Sequence, residues 1–282
     1  MKPAPSPASD PSSDPRTTED PPDGLSIRPV QSLRELQAAV RIQKDTWGQE
    51  FSDVVPSSMM QITAKMGGVV AGAFDSEGDL AGLVYGITGL RDGRLAHWSH
   101  MLAVRPEFRN RGVGQALKHY QKARLLEEGV SVMYWTFDPL VSRNAHLNLN
   151  RLGAEVDEYV ADMYGESDSE LHRLGTDRFI VRWTLDTPHV ETGPPELAAG
   201  VPELLATDPP SSTLPDAESV AVGVPDDVEE LEAESFEGAL AWRISTRAAF
   251  AHYLGRGYRV TGFVPGRPHG LYVLSNSTGS PS

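Results

Sequence analysis

The stretch Leu102-Ala103-Val104-Arg105-Pro106-Glu107-Phe108-Arg109-Asn110-Arg111-Gly112-Val113-Gly114-Gln115-Ala116-Leu117 constrains this chain more than any other. An apolar run stops at Pro106, a turn rich in Arg and Gly follows, and a helical pattern opens at once. Val113, Ala116, Leu117, Tyr120 and Ala123 fall on one helix face, and Gly129 ends it. Gly112 and Gly114 lack a Cβ, so a ligand can approach the backbone. The unpaired amides of a first helical turn point at that ligand, and the helix dipole adds partial positive charge. A pyrophosphate suits such a site, and Arg109 and Arg111 stand where they add charge-assisted bonds. Lys118 and Lys122 follow one and two turns on, in the direction of a more remote phosphate. A dinucleotide fingerprint requires a third glycine where Leu117 stands, and a P-loop requires Gly-Lys-Ser/Thr; neither is present.

Charge supports the same reading. The chain carries a net −14, which argues against a nucleic-acid partner, yet Arg105, Arg109, Arg111, Lys118, Lys122 and Arg124 cluster against Glu107 alone. A basic island on an acidic chain suggests a small polyanionic ligand; a solvated basic helix face is the other reading. There is no cysteine, so disulfides, thiolate metal sites and a cysteine nucleophile are excluded. Eight histidines show no metal-ligand spacing, and no structural metal is expected. No apolar run approaches the roughly 20 residues that span a bilayer, and Lys2 is followed by Pro, Ser and Asp rather than a signal segment. The expectation is a cytoplasmic protein with no membrane partner.

Residues 1–24, rich in Pro, Ser and Asp, read as a disordered tail, and residues 186–219 as an acidic, Pro-rich linker or loop. They delimit a main block at 25–185 and a smaller α/β lobe at 220–275, with a tail at 276–282. In the main block, periodicity predicts a strand at 26–30, helices at 32–40 and 57–66, and strands at 69–74, 80–88 and 95–104. A helix at 112–128, a strand at 131–137, a helix at 142–152 and strands at 155–163 and 179–185 follow. The smaller block predicts a strand at 220–224, a helix at 239–254 and strands at 258–264 and 271–274. The fold class is a mixed α/β sheet flanked by helices.

The Arg-x-x-Gly-x-Gly spacing, the Leu-Ala-Val-Arg-Pro strand end and the element order resemble the coenzyme A signature of the GNAT superfamily of N-acyltransferases. Ser99-His100-Met101-Leu102-Ala103-Val104, Trp135-Thr136-Phe137-Asp138-Pro139-Leu140, Ser142-Arg143-Asn144-Ala145-His146-Leu147-Asn148, Thr176-Asp177-Arg178 and Ala241-Trp242-Arg243…Thr246-Arg247 are similar to one subgroup of that superfamily. Some relatives in this neighbourhood use succinyl-CoA and acylate amino acids. The similarity covers about residues 25–275.

The resemblance implies a splayed mixed sheet and direct attack of an amine on the thioester of acetyl-CoA or succinyl-CoA, the acceptor being a small amine or an amino acid. By analogy, Leu102 and Val104 offer main-chain contacts to the pantetheine arm, and Arg109, Asn110, Arg111, Gly112, Val113, Gly114 and Gln115 surround the pyrophosphate, with Lys118 further on. His100 is the first candidate for general base, since a member of the superfamily carries a catalytic histidine at that distance from the strand end. Strand alternation puts His100 on the side of Leu102 and Val104 and His97 on the opposite side. An imidazole titrating near pH 6.5 suits the task; a structural histidine is the alternative. Many relatives have a tyrosine acid four residues before a glycine on the helix after the fifth strand, and here Leu149 stands there. Tyr164, Tyr159 or a water is the substitute.

Asn144 and Asn148, at i and i+4, either bond the pantetheine amides or pack. Arg243 and Arg247 share a helix face and form either a carboxylate clamp or ion pairs with the acidic run Asp226–Glu234; Arg178, beside Asp177, poses the same choice. A homodimer, a non-catalytic acyl-CoA-binding module and a scaffold acting through the acidic linker complete the expectations.

Overall fold

The protein is described here by a computed structural model covering residues 22, 24–165, 173–187, 193–206 and 214–276. Most of the expected tail at 1–24, all but Asn276 of the expected tail at 276–282 and two parts of the expected linker fall outside these residues.

Strand β1 (Ser26–Pro29) leads into helix α1 (Leu33–Trp47), whose start is fixed by a capping box: the Ser32 hydroxyl accepts from the Glu35 amide and the Glu35 carboxylate accepts from the Ser32 amide. Helix α2 (Ser57–Lys65) follows, then the antiparallel strands β2 (Val69–Phe74), β3 (Leu80–Arg91) and β4 (Arg94–Val104). Helix α3 (Val113–Glu127) crosses to β5 (Val132–Phe137), which lies parallel to β4. Helix α4 (Ser142–Ala145) passes into a π-helical turn, His146–Arg151, before β6 (Glu155–Val160) and β7 (Arg178–Thr184). These seven strands form one mixed sheet in the order β1-β2-β3-β4-β5-β7-β6.

The C-terminal part adds β8 (Glu203–Leu204), β9 (Ser219–Pro225), helices α5 (Val228–Glu234) and α6 (Phe236–Gly255), and strands β10 (Tyr258–Val264) and β11 (His269–Asn276). Its sheet runs β10-β11-β9-β8. Helix α5 differs from the sequence expectation, in which its residues form an acidic charge run. Asp227 caps it by accepting from the amides of Glu229 and Glu230.

Two apolar clusters sandwich the main sheet. One gathers Leu36, Ala39 and Ile42 of α1 and Met60 of α2 onto Leu83, Tyr85, Met101 and Ala103. The other packs Val113, Leu117 and Tyr120 of α3 against the opposite face and continues into the C-terminal strands. Phe179 of β7 lies 4.8 Å from Phe250 of α6 and 5.4 Å from Tyr272 of β11, centroid to centroid, so both sheets contribute to one cluster.

Candidate active site

β4 and β5 pair only at His97–Met133 and Trp98–Tyr134. Beyond those positions the strands part, leaving a fork. On its β4 side, Met101 pairs with Tyr85 and Ser99 with Gly86, so His100 is an extra residue, a β-bulge. The bulge breaks the alternation assumed from sequence. His97 and Ser99 lie on the α3 side with Leu102 and Val104, whereas Met101 and Ala103 face α1 and α2. Both histidines therefore lie on the face opposite to the one that simple alternation predicts. His97 is fully buried on the α3 face, and His100 sits edge-on to Tyr85, ring centroids 6.1 Å apart; Tyr85 in turn bonds Thr63 of α2.

Leu102 and Val104 present their main chain to the fork. The Arg105 amide donates to the Ala81 carbonyl at 2.9 Å, so residues 101, 103 and 105 direct their amides and carbonyls to β3 and residues 102 and 104 direct theirs to the opposite edge. The Val104 carbonyl accepts from Arg109 Nε at 3.1 Å.

At the mouth of the fork, Asn110 and Gly112 take positive φ, 58° and 79°, and Gly112 is the N-cap of α3 with no side-chain cap bond. The first intrahelical bond runs from the Ala116 amide to the Gly112 carbonyl, so the amides of Val113 and Gly114 precede the helical ladder. Among the described residues, a Cβ on Gly112 would meet only Pro22, at 4.0 Å, and one on Gly114 only Leu102, at 3.5 Å. No other described residue crowds the start of the helix, and its donors fit a diphosphate. Arg109 and Arg111 are exposed beside it, Arg111 5.4 Å from the Phe108 ring centre.

Lys118 is elsewhere than expected. It is 4% exposed and points inward: Nζ donates to Ser99 Oγ at 2.8 Å and lies 3.9 Å from the Trp135 ring centre. Position 118 shares the buried face of α3 with Gln121 and Leu125, and the sheet closes over it. That burial removes it from any phosphate outside the helix and pushes its pKa well below the usual lysine value. Lys122 likewise lies 5.0 Å from the Trp183 ring centre.

A second polar group was not foreseen. The Thr88 hydroxyl donates to the Gly67 carbonyl, so His97 Nδ1–H donates to Thr88 Oγ1 at 2.9 Å and His97 Nε2 accepts from Gln121 Nε2 at 2.9 Å. Burial first, and the Lys118 charge second, lower the His97 pKa to about 3 and keep the ring neutral. For His100, loss of water lowers the pKa and Asp53 partly restores it, although the residue keeps an exposed surface.

Asn144 is half-buried, and Asn148 is buried with Oδ1 accepting from Trp135 Nε1 at 3.1 Å. Asn148 therefore packs. Tyr164 lies 3.0 Å, OH to Oγ1, from Thr136, two residues past the last β4–β5 pair, which brings it to the β5 side of the fork.

Arg178, Arg243 and Arg247 do not form an open clamp. Arg243 donates to Asp138 at 2.5 Å and to the Leu174 carbonyl at 3.0 Å; Arg247 donates to Asp177 and to Asp162, at 2.5 and 2.7 Å. Arg178 is buried 3.7 Å from Asp138. Tyr159 donates to the same Asp177 at 2.5 Å, and burial together with that carboxylate raises its pKa, which removes it as an acid near neutrality. The acidic run supplies none of the partners of Arg243 and Arg247. Glu229 pairs with Arg143 and Glu232 with Arg173.

Residues 36–153 match the family described as Acetyltransferase (GNAT) family. The matched residues hold the fork, the bulge and the α3 N-terminus, and acyl transfer is the enzyme class that accompanies them. No curated protein sequence matches the chain. Among solved structures, the chain is similar to the ribosomal-protein-S18-alanine N-acetyltransferase of Escherichia coli (16% identity, 58% of this chain and 96% of that one, TM-score 0.45). It is also similar to a Salmonella typhimurium protein solved with its cofactor acetyl-CoA (16%, 60% and 98%, TM-score 0.46). An aminoglycoside 6'-N-acetyltransferase complexed with coenzyme A shows 14% identity over 59% of this chain and 99% of that one, TM-score 0.44. Among the described residues no helix is long and apolar enough to cross a membrane, and no three His, Asp or Glu side chains are placed to share a metal ion.

Proposed function

We propose that the GNAT segment transfers an acetyl or succinyl group from coenzyme A to the amine of a small molecule, amino acids among the candidates. The observation that carries this reading is the continuity of the α3 N-terminus with the fork. The amides of Val113 and Gly114 and the guanidinium groups of Arg109 and Arg111 hold the diphosphate. The main chain of Leu102 and Val104 then offers the donors and acceptors of an unpaired strand edge to the amides of the arm, and Asn144 flanks it. The acyl end stops near the apex, where β4 and β5 rejoin at Trp98 and Tyr134.

His100, on the bulge at that apex, takes the proton from the attacking amine. Its lowered pKa keeps the imidazole unprotonated at neutral pH, as a base requires. Tyr164, across the fork beside Thr136, orients the acceptor. Because Arg178, Arg243 and Arg247 are held by Asp138, Asp162 and Asp177, an acceptor carboxylate has to be recognised by other groups.

Calorimetric titration with coenzyme A, followed by thiol release from acetyl-CoA and succinyl-CoA over a panel of amines, tests the reading. The chain has no cysteine, so no protein thiol adds to the signal. Saturable binding with amine-dependent release is expected. Binding without release over the whole panel supports a non-catalytic acyl-CoA module instead, and no binding at millimolar ligand removes both.

A further inference from the structure

We propose that Lys118 is the general acid that protonates the leaving thiolate, acting from the α3 side of the fork opposite His100. The inference rests on the acyl-transfer reading and adds to it a group with no other evident task. Ser99 is the first β4 residue past the last β4–β5 pair, and Trp135 the first on β5. The Lys118 ammonium touches both, at 2.8 Å from Ser99 Oγ and 3.9 Å from the Trp135 ring centre, and so stands in the wedge where the strands divide. Among the described residues it donates one hydrogen bond and meets no carboxylate. With one N–H on Ser99 and the Trp135 ring facing the ammonium, an N–H donor remains for a ligand.

A buried cation with an unspent donor costs stability unless something uses it. An arm entering from the Gly112 end and running along Leu102 brings its sulfur to this wedge. The acceptor nitrogen, approaching from the His100 side, forms its bond to the acyl carbon. The C–S bond breaks as that bond is completed, His100 removes the amine proton, and Lys118 delivers its own proton to sulfur. The products are an amide and a neutral thiol, and the lysine recovers its proton from solvent or from His100 in the next cycle. Burial makes the ammonium more acidic than a solvated lysine, which brings it closer to the range of a thiol. Among the described residues the titratable group that senses its charge is His97, also on β4, neutral and tied to Gln121 and Thr88; Ser99 and Trp135 lie against it.

The test compares wild type, Lys118→Met and Lys118→Arg with acetyl-CoA and the best acceptor of the panel. Lys118→Met should lower kcat by about 10²- to 10⁴-fold while the Kd of coenzyme A moves by no more than about threefold. Lys118→Arg, which keeps the charge but not an exchangeable proton of suitable acidity, should be comparably slow. In wild type, kcat should fall on a basic limb placed below the ordinary lysine range. A kcat for Lys118→Met within about threefold of wild type overturns the proposal, as does full activity of Lys118→Arg. If Lys118→Met does not fold, a wild-type kcat that is flat up to pH 10 overturns it instead. A wild type that neither binds coenzyme A nor releases thiol overturns the acyl-transfer reading and this proposal together. An active wild type with an unaffected variant overturns the proposal alone.

Discussion

His97 shows how a single buried side chain sets a pH window. Its folded pKa is about 3 against an ordinary value of 6.5, so between those values the unfolded chain binds a proton that the folded one refuses. Stability from this group is therefore complete above pH 6.5 and is lost as pH falls, at roughly 1.4 kcal/mol per pH unit. Glu35 adds to the loss only below pH 4.5: the hydrogen bond from Arg28 lowers its folded pKa to about 2, against some opposition from burial. Urea midpoints measured from pH 7 to pH 5 should thus decline in wild type, and His97→Gln should flatten that decline. Lys118 and Gln121 could have been suspected from the helical period, since Gly114, Lys118, Gln121 and Leu125 fall on one stripe. What they bond to was not legible, because Ser99 and His97 lie 19 and 24 residues away.

Among the elements, β4 carries the most consequence. Its apolar run is plain in the sequence, as are β2 and residues 80–86 of β3, buried on both faces and apolar, and α3 and β5, which bury one face with a regular period. The bulge at His100 and the π-helical turn after α4 are not, since an inserted residue changes facing without changing composition. Gly86, opposite the bulge, has a determinate role. A Cβ there would lie 2.2 Å from His97 Nε2 and 2.7 Å from the Trp98 carbonyl. Gly86→Ala should therefore cost about 1–3 kcal/mol by chemical denaturation and lower turnover by displacing the bulge. At the other end of the fork, Gly112 needs its φ of 79° and open space in front. Gly112→Ala should raise the Kd of coenzyme A by about tenfold, with a stability loss near 1 kcal/mol.

At the scale of the whole molecule, the arginines of α6 tie the two sheets together. Burial alone would raise the Asp177 pKa, but hydrogen bonds from Arg247 and Tyr159 outweigh it and keep the carboxylate ionised. Asp177→Ala leaves Arg243 and Arg247 without a shared partner and should destabilise the fold by about 3–5 kcal/mol, measured as a loss of unfolding free energy. The sequence suggested two blocks because a Pro-rich stretch lies between them. Composition along a chain cannot show that Phe179, Phe250 and Tyr272 will pack edge to face. A truncation at residue 187 uncovers Phe179 and Tyr159, and it should bind a hydrophobic dye and lack a cooperative melt.

Two ladder positions, His97–Met133 and Trp98–Tyr134, stitch strands β1–β4 to the remaining three. The sheet is thus missing most of one seam, and an occupant with amide groups in series would supply the absent rungs. Deuterium uptake at Leu102 and Val104 should slow once the donor is added, and the halves on either side should then open together rather than separately. Substrate, on this view, is the last piece of secondary structure to form.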